Sequence, residues 1–296
     1  MITVLGSTNL DLIGTVSRIP KPGETVPGDE FSMAAGGKGA NQALAARRAG
    51  AEVRMFCAVG ADSFAEDALR LLRADGVDLS RLKKVDGATG IAMIFVDRHG
   101  ENVIAILPGA NGTMGKAEAE AALAGLGAGN VLMLQQEIPQ AATTRALELA
   151  AAQGVTSILN TAPFLESTPE LARLASIVIA NETEFALLCG GRTGELEELM
   201  ADWARTHGQT VIVTLGPDGA RAATPTRSFS VPAMRVEPVD TVGAGDTFCG
   251  YLAAGLDAGL ELEPAMRRAA VAASLACLKP GAQPSIPAAG EVETAL

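Results

Sequence analysis

Near the C-terminus, Asp240-Thr241-Val242-Gly243-Ala244-Gly245-Asp246-Thr247-Phe248 sets carboxylates among glycines at the start of an apolar stretch of helical period. Glycine backbones let N–H groups converge on an anion at a helix N-terminus, where the helix dipole favours negative charge. An Asp beside them can take the proton of an attacking hydroxyl while the N–H groups hold a phosphate. Taken alone, the segment also fits a plain loop and an N-cap.

Three further segments carry chemistry. Gly36-Gly37-Lys38-Gly39-Ala40-Asn41-Gln42-Ala43 precedes an alanine-rich helix, and its tandem glycines permit close backbone approach to a ligand. It is not a Walker loop, because the upstream glycine spacing fails and no Ser or Thr follows Lys38. Asn181 and Glu184 lie three residues apart at a strand-to-helix junction, as hard oxygen donors suited to magnesium or as the two halves of a capping box. Thr214-Leu215-Gly216-Pro217-Asp218-Gly219 closes an apolar strand, and either wraps phosphates or turns into a hairpin.

The elements that must position these segments follow from periodicity. Short β-branched runs at 2–5, 53–59, 131–134, 156–159, 177–179 and 211–215 alternate with helical patterns, as in a parallel sheet with crossover helices. The predicted helices cover 40–49, 64–74, 116–123, 141–153, 182–188, 195–206, 244–256 and 263–278. Two regions break the alternation. Residues 10–33 are rich in Pro and Gly with short extended runs, and 91–107 reads as a hairpin around Asp97-Arg98-His99-Gly100. Both are expected to associate into a small sheet covering a cleft at the carboxyl edge of the parallel strands; edge decoration of the main sheet is the alternative. The whole chain, 1–296, is expected to be one domain of three-layer α/β/α architecture with this lid.

Composition removes several classes. With 296 residues, 48% hydrophobic and 19% charged, the chain is globular. A formal net charge of -11 disfavours nucleic acid and anionic membrane as partners. Only two histidines, His99 and His207, and four scattered cysteines argue against a histidine triad or a zinc site. No apolar run has the length of a membrane span and the first residues lack the basic flank of a signal peptide, so a reducing cytoplasm is expected.

Taken in order, the Gly-Gly-x-Gly-x-Asn element at Gly36–Asn41 and the Asp-Thr-x-Gly-Ala-Gly-Asp element at Asp240–Asp246 resemble the ribokinase-like, or PfkB-type, sugar kinase family, from Val4 to Pro287. Gly6–Asp11, Pro108–Asn111 and Lys279–Ser285 are similar to the ribose-phosphorylating members. The resemblance implies an ATP-dependent kinase acting on O5 of D-ribose, with Asp246 as general base and Gly243, Ala244 and Gly245 in the anion hole. It implies Asn9, Asp11, Gly36, Gly37, Lys38, Asn41 and Glu137 around the sugar, with Lys38 either reaching a phosphate or facing solvent. For ATP and Mg2+ it implies Asn181, Glu184, Thr214, Gly216, Gly219 and Gly245. A K+ site is implied at Asp240, Val242, Ala276, Lys279, Gly281 and Ser285, and a homodimer through the lid sheet. Ala270 stands where some members have a His near the adenine, so that edge is expected to be apolar. Deoxyribose, fructose or a nucleoside as acceptor, and a non-catalytic sugar sensor on the same scaffold, are the competing expectations.

Overall fold

The computed structural model describes residues 1–296. Fourteen strands run in chain order: β1 (Ile2–Leu5), β2 (Asn9–Val16), β3 (Gly28–Gly36), β4 (Val53–Phe56), β5 (Ala58–Gly60), β6 (Lys83–Val85), β7 (Gly90–Asp97), β8 (Asn102–Leu107), β9 (Val131–Leu134), β10 (Thr156–Asn160), β11 (Ile177–Asn181), β12 (Thr210–Thr214), β13 (Ala220–Ala223) and β14 (Ser228–Val231). The helices are α1 (Lys38–Arg48), α2 (Phe64–Ala74), α3 (Lys116–Leu123), α4 (Gln140–Gln153), α5 (Thr168–Ala172), α6 (Glu182–Leu188), α7 (Leu196–His207), α8 (Ala244–Asp257), α9 (Leu262–Ala276), α10 (Ala282–Ser285) and α11 (Ala289–Ala295).

Eight strands form the central sheet in the order β14-β13-β12-β11-β10-β9-β1-β4. The six from β12 to β4 are parallel, and β13 and β14 add antiparallel pairs at one edge. Parallel strands have both faces covered, and side-chain alternation divides the apolar residues between two cores. Val4, Met55, Met133, Ile158 and Ile212 pack with α1, α8 and α9. Leu5, Leu134, Leu159, Val178 and Val213 pack on the opposite face with α3, α4 and α7. The helices therefore form two outer layers around the sheet. No helix is long and apolar enough to cross a membrane.

Residues 9–36 and 90–107 supply a separate four-stranded sheet in the order β3-β2-β7-β8. Its base joins the body where Asn9 pairs with both Gly36 and Gly90. Alternation sorts its side chains into two faces. Asn9, Asp11, Ile13, Ala92, Ile94 and Ile106 share one; Leu12, Phe31, Met33, Met93, Phe95 and Val103 share the other.

Some boundaries differ from the sequence pattern. The run 53–59 is two strands, because the chain leaves the main sheet at Cys57 and β5 pairs with β6 instead. Gly60 ends it against the backbone of residues 87–89, where a Cβ would lie 2.2 Å from the Gly87 carbonyl. The helix expected from Ala40 begins at Lys38, with Gly37 as its N-cap. Strands β13 and β14 lie outside the expected set: Ala220-Arg221-Ala222-Ala223 lacks the β-branched residues that mark strands, and Ser228-Phe229-Ser230-Val231 alternates over only four residues.

Candidate active site

The carboxyl ends of β9, β10, β11 and β12 deliver Gln135 to Glu137, Asn160, Asn181 and Thr214 along one edge of the sheet, and α1 and α8 begin over that edge. The first cluster joins the lid base to the glycine loop. A Cβ on Gly36 would lie 2.3 Å from a carboxylate oxygen of Asp11, and one on Gly37, whose φ is 88°, would lie 2.7 Å from the Asn9 nitrogen. Glycine is required at both positions for this approach. Asn9 is buried and its Oδ1 accepts from Asn111 Nδ2 at 2.8 Å, which leaves its own amide N–H groups without a protein partner. Glu137 Oε2 accepts from Ser7 Oγ at 2.5 Å and from the Lys38 N–H at 2.9 Å, so this carboxylate clamps the glycine loop as well as facing the cleft.

Asp246 stands in the first turn of α8 and is 7% exposed. Asn41 Nδ2 donates to its Oδ2 at 2.9 Å and Gln42 Nε2 to its Oδ1 at 2.9 Å. Each oxygen keeps a further lone pair for an incoming hydroxyl. Gly243 adopts φ 78°, and a Cβ there would meet Ala282 at 2.9 Å. The backbone N–H groups of Gly243, Gly245 and Asp246 make no hydrogen bond within the protein, while that of Ala244 turns back to the Thr241 carbonyl. Three N–H groups are thus left free at the mouth of a fourteen-residue helix, where the helix dipole favours negative charge.

Beyond Gly245 lies a cavity of about 510 Å³ lined by Thr214, Gly216, Gly219, Met234, Phe248, Ala270 and Ser274 among others. It joins the expected nucleotide residues Thr214, Gly216, Gly219 and Gly245 in one space, with Ala270 in its wall. Thr214–Gly219 is also a hairpin connection, since β12 and β13 pair antiparallel across it. Asn181 and Glu184 form the capping box of α6: Asn181 Oδ1 accepts from the Glu184 N–H at 2.8 Å, and Glu184 Oε2 accepts from the Asn181 N–H at 3.2 Å. Thr161 Oγ1 adds a 2.7 Å bond to Glu184 Oε2. The remaining carboxylate oxygen, Oε1, has no protein donor.

The loop before α8 is tied to the end of α9. Asp240 Oδ1 accepts from the Val242 N–H at 3.0 Å and Oδ2 from the Gly281 N–H at 2.8 Å. The Lys279 N–H reaches the Ala276 carbonyl, and its side chain pairs with Glu291. Ser285 Oγ bonds the Ala282 carbonyl at 2.8 Å within its own turn. Asp240, Val242 and Gly281 are thus brought together, whereas the Ser285 hydroxyl is occupied locally.

Four polar residues escape the sequence reading of the site. Gln42, Gln135 and Asn160 form an amide chain behind Asp246, and Asn111 braces Asn9. Gln42 and Asn111 sit inside conspicuous motifs, which is their only local signal. The cavity wall from Ala233 to Val236 has none.

A family profile described as "pfkB family carbohydrate kinase" matches residues 1–289. The chain belongs to this family of carbohydrate kinases. Among curated proteins, it is 37% identical over 297 residues to the ribokinase of Staphylococcus aureus, covering 98% of each chain. It is 34% identical over 291 residues to the deoxyribokinase of Salmonella typhi, covering 97% of this chain and 95% of the other. A structure of Arabidopsis thaliana ribokinase complexed with ribose and ATP superposes with a TM-score of 0.86 at 29% identity, covering 99% of this chain and 97% of that one.

The charges in the cleft act on one another. Burial first, then the fields of Glu137 and Asp246, raise the Asp11 carboxyl to about 7, with Lys38 opposing. Asp246, Glu137 and Glu184 raise the Lys38 ammonium against the effect of burial. Between the ordinary Asp value of 3.8 and about 7, folded Asp11 holds a proton that the unfolded chain has lost, so its stability cost grows with pH across that window and levels off above it. Asp11→Asn is therefore expected to melt roughly 3 to 10 °C above wild type at pH 8, with the gap closing near pH 4. Thermal melts across that range check it, and equal melting temperatures at pH 8 would refute the raised Asp11.

Proposed function

We propose that this chain transfers the γ-phosphoryl group of ATP to the O5 hydroxyl of D-ribose, giving D-ribose 5-phosphate and ADP. The observation that carries the proposal is Asp246, held on both oxygens by Asn41 and Gln42 beside three free N–H groups of α8, between the sugar-side cluster and the apolar cavity. Asn9, Asp11, Gly36, Gly37, Asn41 and Glu137 bind and orient the pentose. Asp246 takes the hydroxyl proton as the oxygen attacks, and Gly243, Gly245 and Asp246 N–H groups hold the transferring phosphoryl. Lys38 balances its charge. Thr214, Gly216 and Gly219 wrap the nucleotide, and the cavity takes the adenine against Ala270 and Phe248. Apolar Ile13, Ile94 and Ile106 on the cleft face of the small sheet make it a lid that excludes water. Four free thiols suit a reducing cytoplasm.

One carboxylate and one amide at Glu184 and Asn181 suit a magnesium ion that keeps most of its waters, whose chemistry is neutralising phosphate charge. No three His, Cys, Asp or Glu side chains lie close enough together to hold a metal ion between them. The single carboxylate of Asp240 with the carbonyls of Val242, Ala276, Lys279 and Gly281 and with Ser285 suits a monovalent ion such as K+.

The 34% identity to a deoxyribokinase supports deoxyribose as a second acceptor. A coupled ADP-release assay over ribose, deoxyribose, fructose and adenosine tests the substrate. Ribose is expected to give the highest kcat/KM, and Asp246→Asn to lower kcat for it by about 100- to 10,000-fold. Undiminished turnover in Asp246→Asn would remove Asp246 from its role, and binding of sugar without turnover would favour a sensor.

Activity is expected to fall severalfold in buffer free of potassium and sodium and to recover on adding KCl, and Asp240→Ala is expected to lose that response. Equal rates with and without the ion would remove the potassium site.

The outer lid face, with Phe31 68% exposed and Met33, Met93, Phe95 and Val103 around it, suits a second copy of the chain. Sedimentation is expected to show a dimer in wild type and a monomer in Phe31→Asp/Phe95→Asp. A wild-type monomer at micromolar concentration would refute this interface.

A further inference from the structure

The buried amides behind Asp246 form a directed chain. Asn160 Nδ2 donates to the Ile179 carbonyl at 3.3 Å, which fixes the side-chain oxygen of Asn160 toward α1. That oxygen accepts from Gln42 Nε2 at 3.2 Å, and Gln135 Nε2 donates to Gln42 Oε1 at 2.6 Å. The Nε2 end of the Gln42 amide is therefore specified by Asn160 independently of Asp246, and Gln135, whose own Oε1 has no partner, completes the Oε1 end. The Gln42 N–H groups must face the carboxylate, and the reverse orientation would set its oxygen against Asp246 and against Asn160.

Resting on the kinase reading above, we propose that Gln42 is the positioning residue of the Asp246 base, and that Asn160 and Gln135 set the polarity of its amide. Gln42 is 1% exposed and lies on the buried side of Asp246, so it orients the base without touching sugar or nucleotide. With Asn41 on the other oxygen, its bond to Oδ1 fixes the plane of the Asp246 carboxylate. The other charged or titratable groups that bear on Asp246 are Asp11 on β2, Lys38 on α1 and the Cys249 thiol on α8.

The test is steady-state kinetics with D-ribose and ATP in magnesium and potassium buffer. Gln42→Met keeps the side chain's length and removes its donors. Its kcat is expected to fall about 10- to 100-fold with both KM values within about twofold, since misplacement acts on the reacting geometry and not on binding. Gln42→Glu places a second carboxyl group against Asp246, and the acid limb of the kcat profile is expected to rise by about one pH unit or more. Asn160→Leu and Gln135→Met should lower kcat in the same sense by smaller factors, and they carry the test if Gln42→Met fails to fold. A kcat within about threefold of wild type in the folded variants, a loss carried by KM, or an unmoved acid limb in Gln42→Glu would each overturn the proposal. Wild type and Asp246→Asn run alongside: an inactive wild type refutes the kinase reading, whereas an active wild type with unaffected Gln42 variants refutes this inference alone.

Discussion

The hydrogen bonds from Asn41 and Gln42 to Asp246 are the constraint on which the rest of the structure turns. A carboxylate at the buried mouth of α8 loses its hydration, and only donors from elsewhere in the chain can replace it. Both donors lie on α1, more than two hundred residues away in sequence. Satisfying Asp246 therefore fixes the two helices against each other at their N-terminal ends. Their packing agrees: Gly250, one turn on, faces Gln42, Ala45 and Ala46 so closely that a Cβ would lie 2.5 Å from Ala45 Cβ. Small residues on both helices are what let the amides reach.

From that junction the rest of the site follows outward. Once α1 is seated, its leading glycines lie under Asn9 and Asp11, and Glu137 closes the loop through Ser7 and the Lys38 N–H. On the other flank, Asp240 binds the Gly281 N–H, and Arg48 at the end of α1 donates to the carbonyls of Gln283 and Ile286. The loop that opens α8 is thus held from below by the same helix that holds the Asp246 carboxylate. A protein of net charge -11 that also gathers Asp11, Glu137, Asp246 and Glu184 in one cleft repels phosphate at long range. Lys38 and the free N–H groups are the local counterweight, and their close fixed placement compensates for the unfavourable field.

Much of this was legible because the chemistry is local. Glycines beside Asp246, glycines beside Asn41, and the Asn181–Glu184 pair each lie within a few residues, and the alternation of β-branched and alanine-rich stretches marks the layered architecture. Gln42 and Gln135 were not legible, because an amide in an apolar run looks like any polar helix or strand-end residue until its partner 204 or 93 residues away is placed. The cavity wall at Met234–Val236 has no regular structure and hence no periodicity. Strand β13, built from alanines and one arginine, belongs to the sheet through its pairing with β12 and not through propensity.

The small sheet imposes a different requirement. In an ordinary two-faced antiparallel sheet one side is apolar and the other polar, yet here Ile13, Ile94 and Ile106 lie on the face shared with Asp11, and Leu12, Phe31, Met93 and Phe95 lie on the reverse. Strand β8 is exposed along its whole length although Val103 to Leu107 are all apolar. A sheet of this composition is a poor permanent boundary with water on either side. Both faces therefore present apolar surface that water alone covers poorly. The two faces meet the body at Asn9, where β2 pairs with both Gly36 and Gly90, and its side chain is braced by the buried Asn111. The buried residue at the base of the cleft is thus also the one from which the small sheet extends, which ties the geometry of the Asn9–Asp11 cluster to the angle of the sheet.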